Sequence, residues 1–413
     1  MVIYVRETVK KKMIGRSPFR IAMAAVLVWA FLEYAKRCYF EDEEDAHFFE
    51  NETEKERFFS SALEKAASSY DAEKGAYVWG RTNHPSFLTE LHPLNWIQRF
   101  LVKKEFVWMS ATSGDWLLGF AVLHFNYQST MVVHLYNAKE HINLKQQMDV
   151  LLSPLTMAGG EWVANDKGEV GPTAAGHKVT FRSFFLSPNQ GSAEIHFTST
   201  GIHFNLNVSG RSGQWIRASG ATAETPRMTG LVYPLGKKRP AVVYKTSAVP
   251  LASLSIEYQR SASEPVVTAP LVSPSFLSMD YTRGLLRRHT EWMWASVCTR
   301  EVGIHLSSGT YDVDGYSLEN AFFAPHSPPQ FLNEKVEFVK LEGETTDKWA
   351  IRGRNVSLTF TAFDGYGGKV NLGLVNVSLD HRWGLYDGYV LVNNTRLDLH
   401  QTPGVFEDHY ALW

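Results

Sequence analysis

Cysteine is scarce in this sequence, charge of either sign is not in excess, and helical periodicity is rare. Only Cys38 and Cys298 occur in 413 residues, too few for a disulfide framework and wrongly spaced for zinc or redox pairs. Cys298 reads as a small buried apolar residue. The formal net charge is −2, so no basic surplus marks a nucleic-acid partner. No phosphate loop, dinucleotide glycine fingerprint, serine-hydrolase elbow or His-Glu-x-x-His motif appears, and neither a cofactor nor a metal is expected. Asp312-Val-Asp-Gly315 has the look of a calcium-loop fragment without the further acids such a loop needs, and is predicted to be a β-turn. Asp364 to Gly368, with a single acid, is predicted to be a turn as well. What is present is the composition of a folded chain, 44% hydrophobic and 13% aromatic, which excludes wholesale disorder.

The first twenty residues carry Arg6, Lys10, Lys11, Lys12, Arg16 and Arg20 against one acid, Glu7. An apolar run, Ile21 to Ala35, follows, and then Lys36, Arg37 and an acidic cluster from Glu41 to Asp45. At about 1.5 Å per residue the run is shorter than a hydrocarbon core of about 30 Å, and Phe19, Tyr39, Phe40 and snorkelling cations extend it. Three readings compete. The first is a single-pass anchor with the bulk of the chain on the non-cytoplasmic side, in the secretory pathway, because positive charge lies before the run and acid after it. A cleaved signal peptide lacks a small-x-small site. A mitochondrial inner-membrane anchor is the third. Under the first reading, sequons at Asn51, Asn207, Asn355, Asn376 and Asn393 become candidate glycosylation sites, although several fall in predicted strands.

The expected order is a basic tail over 1–20, a transmembrane anchor over 21–40, an acidic and helical stalk over 41–89, and two β halves over 90–270 and 271–413. Within the stalk, Asn51 to Ala72 suits a short amphipathic helix with Phe58, Phe59, Leu63 and Ala66 on one side. Three strands are predicted at Glu105 to Ala111, Asp115 to Phe125 and Thr130 to Tyr136, and a hairpin at Ser199-Thr200-Gly201. His196, Thr198, His203 and Asn205 alternate as a solvated sheet face or a polar cavity lining. Short strands at intervals of roughly 8 to 12 residues continue to the end, the signature of a mostly β sandwich or barrel.

The densest stretch is Asp280 to Phe323. From Thr290, alternation puts Thr290, Trp292, Trp294, Ser296 and Cys298 on one strand face and Glu291, Met293, Ala295 and Val297 on the other. Arg283, Arg287, Arg288 and His289 precede this strand, and Asp312, Asp314, Glu319 and Asn320 follow it. Charges of both signs bracketing tryptophans suit an apolar cavity with a polar end. The plainer reading is a packed core with rim salt bridges.

Three segments resemble the domain-of-unknown-function family 2804. They are Trp96 to Lys139; Arg283-Gly284, Trp292-x-Trp294-Ala295, Gly303-x-His305-Leu306 and Glu319-Asn320-Ala321; and Gly384 to Gly388 with Gly404 to His409 and Trp413. Cys298-Thr-Arg-Glu301 departs from the glycine-rich run that family members show there. The resemblance implies a lipocalin-like architecture, two antiparallel barrels or sandwiches side by side, similar in outline to carotenoid hydratases, tocopherol cyclases and pericyclic cyclases. It implies an apolar ligand, lipid or isoprenoid-like, held by Arg283, Trp292, Trp294, His305 and Asn320. If a reaction occurs, a carboxylate or imidazole must protonate an alkene. Glu291, His289, Asp312, Glu319 and His305 are the candidates, with His289 and Glu319 as the preferred catalytic pair. Binding without turnover, an accessory subunit of a membrane complex, and a cyclase or hydratase all remain open at this point.

Overall fold

The computed structural model describes residues 49, 51–60, 70–71, 73–83, 91–95, 102–125, 128–137, 139–151, 159–164, 175–182, 190–198, 201–210, 213–224, 227–235, 239–324, 327–342, 347–371 and 376–412. The expected anchor at Ile21 to Ala35 and Cys38 lie outside them. Among the described residues no helix is long and apolar enough to cross a membrane.

Among the described residues the chain is mostly β, in two large antiparallel sheets, one of fourteen strands and one of nine. The first is barrel-like. Its strand path runs from an edge at Ile142–Leu151, through Gln128–Asn137, Trp116–His124, Lys103–Ser113, Phe276–Leu285 and Pro240–Gln259, to an edge at Gly159–Ala164. The two arms meet: a side chain at Gly191 on one would collide with Met131 and Met148 on the other, within 2.4 to 3.0 Å. Gln146 Nε2 also donates to Gln214 Oε1 at 2.7 Å across the same gap. Alternation drives the curling, because Val107, Met109, Leu118, Phe120, Met131 and Val133 all point inward to one core, shared with Ile195, Phe204 and Leu206 of the far arm. The second sheet, centred on His289–Cys298, Thr395–Leu412, Asn376–Val392 and Val356–Asn371, has its own core around Val297, Ile304, Trp349, Phe360, Tyr386 and Phe406.

Predicted and observed strands agree closely between residues 103 and 137, and Thr198 pairs with Gly201 as the hairpin required. His203 and Asn205 are exposed, so that face is solvated. Asp312 to Ser317 is a hairpin whose Asp314 and Gly315 both have positive φ, 52° and 79°, which is the turn expected there. Asp364 to Gly368 is not a turn. These residues run inside the strand Val356–Asn371; the register shift between Ala362 and Asp364 falls at Phe363, and Gly365, Gly367 and Gly368 stay paired with Arg382, Asp380 and Leu379. The change of sheet falls between Leu285 and His289, after the expected division at 270. Phe276–Leu285 pairs on both sides within the first sheet, and its Leu277, Met279 and Tyr281 fill that core. The four-residue turn at Thr299 is closed by Thr299 Oγ1, which accepts from the amides of Glu301 and Val302 and replaces the glycines of the family pattern.

Of the helix expected over Asn51 to Ala72, the described part is Glu52–Ser60, capped by Asn51, whose Oδ1 accepts from Glu54 N at 2.9 Å. Tyr70 and Asp71 instead pair as a strand with Ala76 and Tyr77, and Leu63 and Ala66 lie outside the described residues. Phe58 and Phe59 hold the helix against the β body over the guanidinium of Arg81, which also lies 4.7 Å from the Phe331 ring. Asn207 and Asn393 are exposed, as is Asn51; Asn355 and Asn376 are partly covered.

Candidate functional site

The two sheets face each other through surfaces that alternation would ordinarily leave polar and wet. Along Phe276–Leu285, Asp280 and Thr282 point away from the first core. Along His289–Cys298, Trp292 and Trp294 point away from the second, and along Thr395–Leu412 so do Glu407 and His409. Cross-strand register then assembles rows. Lys245, Asp280, Trp108, Ala121 and Val132 are consecutive partners across the first sheet. Ser307, Trp294, Glu407 and His381 form a row across the second, with Gly309, Trp292, His409 and Leu379 beside it. All of these residues line one cavity of about 110 Å³ between the sheets, room for a ring-sized group.

One end is an ion cluster. Lys245 Nζ, 2% exposed with its residue, lies 2.5 Å from Asp280 Oδ2 and 2.8 Å from Glu319 Oε2, and Tyr233 Oη donates to Glu319 Oε1. Burial pushes the Asp280 carboxyl up to about 6 against the pull of Lys245, and the negative Glu319 adds to the rise. Burial raises Asp312 as well, although Ser308 Oγ donates to it at 2.9 Å.

The other end is a carboxylate between imidazoles. Glu407 accepts from Trp292 Nε1 at 2.8 Å and from His381 Nδ1 at 2.9 Å. Burial works against its ionised form, but His381, His409 and Trp292 outweigh that and hold it below the ordinary carboxylate range. His409 stacks on Trp292 at 3.9 Å, and burial lowers it to about 4. Behind them His134 sits fully buried between Trp383, at 4.3 Å, and Trp108, at 5.6 Å, kept neutral by burial and by His381.

His409 should therefore leave a pH signature. Its folded pKa lies below its unfolded one, so the stability it contributes is present above about 6.5 and is lost as pH falls toward 4. Asp280, raised from 3.8 to about 6, acts oppositely, gaining stability as pH falls through that window. Urea midpoints of the His409→Gln variant are expected to fall less between pH 7 and pH 5 than those of the parent; equal falls would show that His409 does not remain neutral.

The sequence-predicted residues divide. Trp292, Trp294, Glu319 and Asp312 line the cavity. His289 is exposed beside Tyr410, at 5.3 Å, and does not join Glu319, and Glu291, two residues on, is exposed as well. Arg283 alternates with Asp280 and Thr282 onto the opposite face, towards Glu105 and Tyr281. His305 is fully buried behind Trp294, with Nε2 3.1 Å from both Ser278 Oγ and Thr246 O. Asn320 holds the turn, its Oδ1 accepting from Ser307 N at 2.6 Å. Lys245, Asp280, Trp108, His381, Glu407 and His409 were not foreseen. The one local clue is polar residues alternating with apolar ones inside strands otherwise rich in core residues. Among the described residues no group of three or more His, Cys, Asp or Glu could hold a metal ion.

The family's sequence pattern matches residues 71–413, which takes in every residue of the site. The chain belongs to the domain-of-unknown-function family 2804. No curated protein matches it. Among solved structures, it is similar to a putative AttH from Nitrosomonas europaea, with 10% identity, a TM-score of 0.37, and coverage of 78% of this chain and 97% of that one. Kievitone hydratase from Nectria haematococca gives 8% identity and a TM-score of 0.36 over 78% and 93%. CghA with Sch210972 gives 7% and 0.36 over 75% and 89%.

Proposed function

We propose that the protein binds a small, ring-bearing apolar ligand in the cavity between its sheets, and that the Ile21 to Ala35 run tethers it to a membrane. The observation that carries this reading is the register: three facing rows place Trp108, Trp292 and Trp294 as walls, with Phe106 on the same lining and charged groups at the two ends. Apolar walls with a few convergent polar groups are the usual make-up of a small-molecule site. The charge order of the N-terminal segment supports a non-cytoplasmic β body in the secretory pathway, with the mitochondrial inner membrane as the alternative.

A second reading, proton transfer on an unsaturated ligand by a hydratase or cyclase, is favoured by one observation. Asp280 is pushed towards its protonated form while Glu407, facing the same space, is held ionised. Carboxyl groups separated in this way suit an acid and a base in one site.

Native mass spectrometry with lipid extraction, on full-length protein purified gently from its own membrane, tests the binding reading. A co-purifying apolar molecule is expected, lost in the Trp292→Ala/Trp294→Ala double variant. Protein that is ligand-free and in stoichiometric contact with other subunits would instead make the β body a structural module of a membrane complex.

A further inference from the structure

The cavity lining leaves an imbalance. Asp280, Asp312, Glu319 and Glu407 face it, against a single ammonium, Lys245, which is already engaged by Asp280 and Glu319. His409 adds no compensating charge, since burial keeps it neutral. Excess negative charge withdrawn from water is unfavourable unless something neutralises it.

A separate observation concerns hydrogen bonds. A carboxylate oxygen on the lining, Asp280 Oδ1, has no donor. His381 Nε2 on the same lining also has no partner, while its Nδ1 lies 2.9 Å from Glu407 Oε2. Asp280 is 6% exposed and His381 2%. Water has little access to either, and an unmet buried acceptor costs about 1–3 kcal/mol. The surrounding faces of Trp108, Trp292 and Trp294 favour a cation over an anion. The indole N–H groups of Trp108 and Trp294 also lack partners; they call for an oxygen on ligand or water and do not select charge.

We propose that the ligand's polar group is a protonated amine, which donates to Asp280 Oδ1 while its apolar ring lies among the tryptophans. This deepens the binding reading and rests on it. It narrows the ligand class from any apolar molecule to apolar primary or secondary amines.

The test uses the full chain in detergent and three probes with closely matched frames, phenethylamine, phenethyl alcohol and phenylacetate, with binding followed by tryptophan fluorescence and calorimetry. Phenethylamine is expected to bind about tenfold or more tighter than the alcohol, the scale of one charged hydrogen bond, and phenylacetate more weakly than either. The preference for the amine should shrink as pH falls from about 8 to about 5, because Asp280 then takes a proton, while alcohol binding stays nearly flat. The groups facing Asp280 are Lys245 on the neighbouring strand, Glu319 and Asp312 beyond it, and Glu407, His381 and His409 from the opposite sheet. Asp280→Asn, which keeps an oxygen for Lys245, should abolish the preference and retain the alcohol. Equal or tighter binding of the alcohol, or an amine preference indifferent to pH, overturns the proposal. A neutral molecule recovered by native mass spectrometry would sink the amine while leaving the ligand-binding reading intact. Failure of all three probes, together with ligand-free native protein, would remove both.

Discussion

Lys245→Met is expected to destabilise the chain by about 3–5 kcal/mol, the cost of leaving a buried ionic group without its partner. The methionine fills the space of the lysine stem, so loss of volume contributes little. What is lost is the ammonium between Asp280 and Glu319, at 2.5 and 2.8 Å, which leaves two carboxylates facing each other in a site closed to water. Burial alone would lower the Lys245 pKa; the two acids reverse this and raise it, so the charged form is the one the fold requires. The deficit should be largest near pH 8 and shrink toward pH 5, where Asp280 can take up a proton. Urea unfolding at both pH values measures it. A deficit below about 1 kcal/mol at pH 8 is the range of a solvent-exposed pair, and would mean that water reaches the cluster.

The second large effect is expected from Trp383→Ala, at about 3–5 kcal/mol. Trp383 has no exposed surface. It stacks on His134 from the first sheet at 4.3 Å, meets the Tyr366 ring edge-on at 5.3 Å, and lies 5.9 Å from Lys145 Nζ. The indole therefore joins the two sheets directly, and its removal also strands the His134 ring in a void. Trp383→Phe should recover more than half of the loss. Unfolding followed separately by near-ultraviolet dichroism and by backbone exchange should show both sheets weakened together. If only the second sheet loosens, the contact with His134 carries little of the coupling.

The strands, the hairpin after Thr198 and the turn at Asp314 were legible because period-2 alternation and turn residues are local signals. So was the concentration of chemistry between Asp280 and Phe323, which supplies Asp280, Trp292, Trp294, Asp312 and Glu319 to one cavity. Register was not legible. Nothing local in Lys245, Trp108 or Glu407 says that each lies beside Asp280 or Trp294 across a strand pair, and a shift of one residue would send all three to the opposite face. The same blindness made His289 look like a partner for Glu319, since closing the two ends of one stretch of chain does not bring two residues together across a sheet. Alternation also leads one to expect Thr282, Glu407 and His409 in water, because it marks two faces without saying that a second sheet covers one of them.

The helix clamped over Arg81 bears on where the protein can be cut for expression. The family pattern begins at residue 71, yet Phe49 and Phe58 share an apolar cluster with Leu231, Tyr233, Val243 and Leu286. Tyr233 and Leu286 are themselves part of the cavity wall. A fragment trimmed to the family boundary would uncover that cluster, take two of the three phenyl faces from Arg81, and present an oily patch behind the cavity wall. Fragments made for crystallisation or binding work should therefore begin before Phe49.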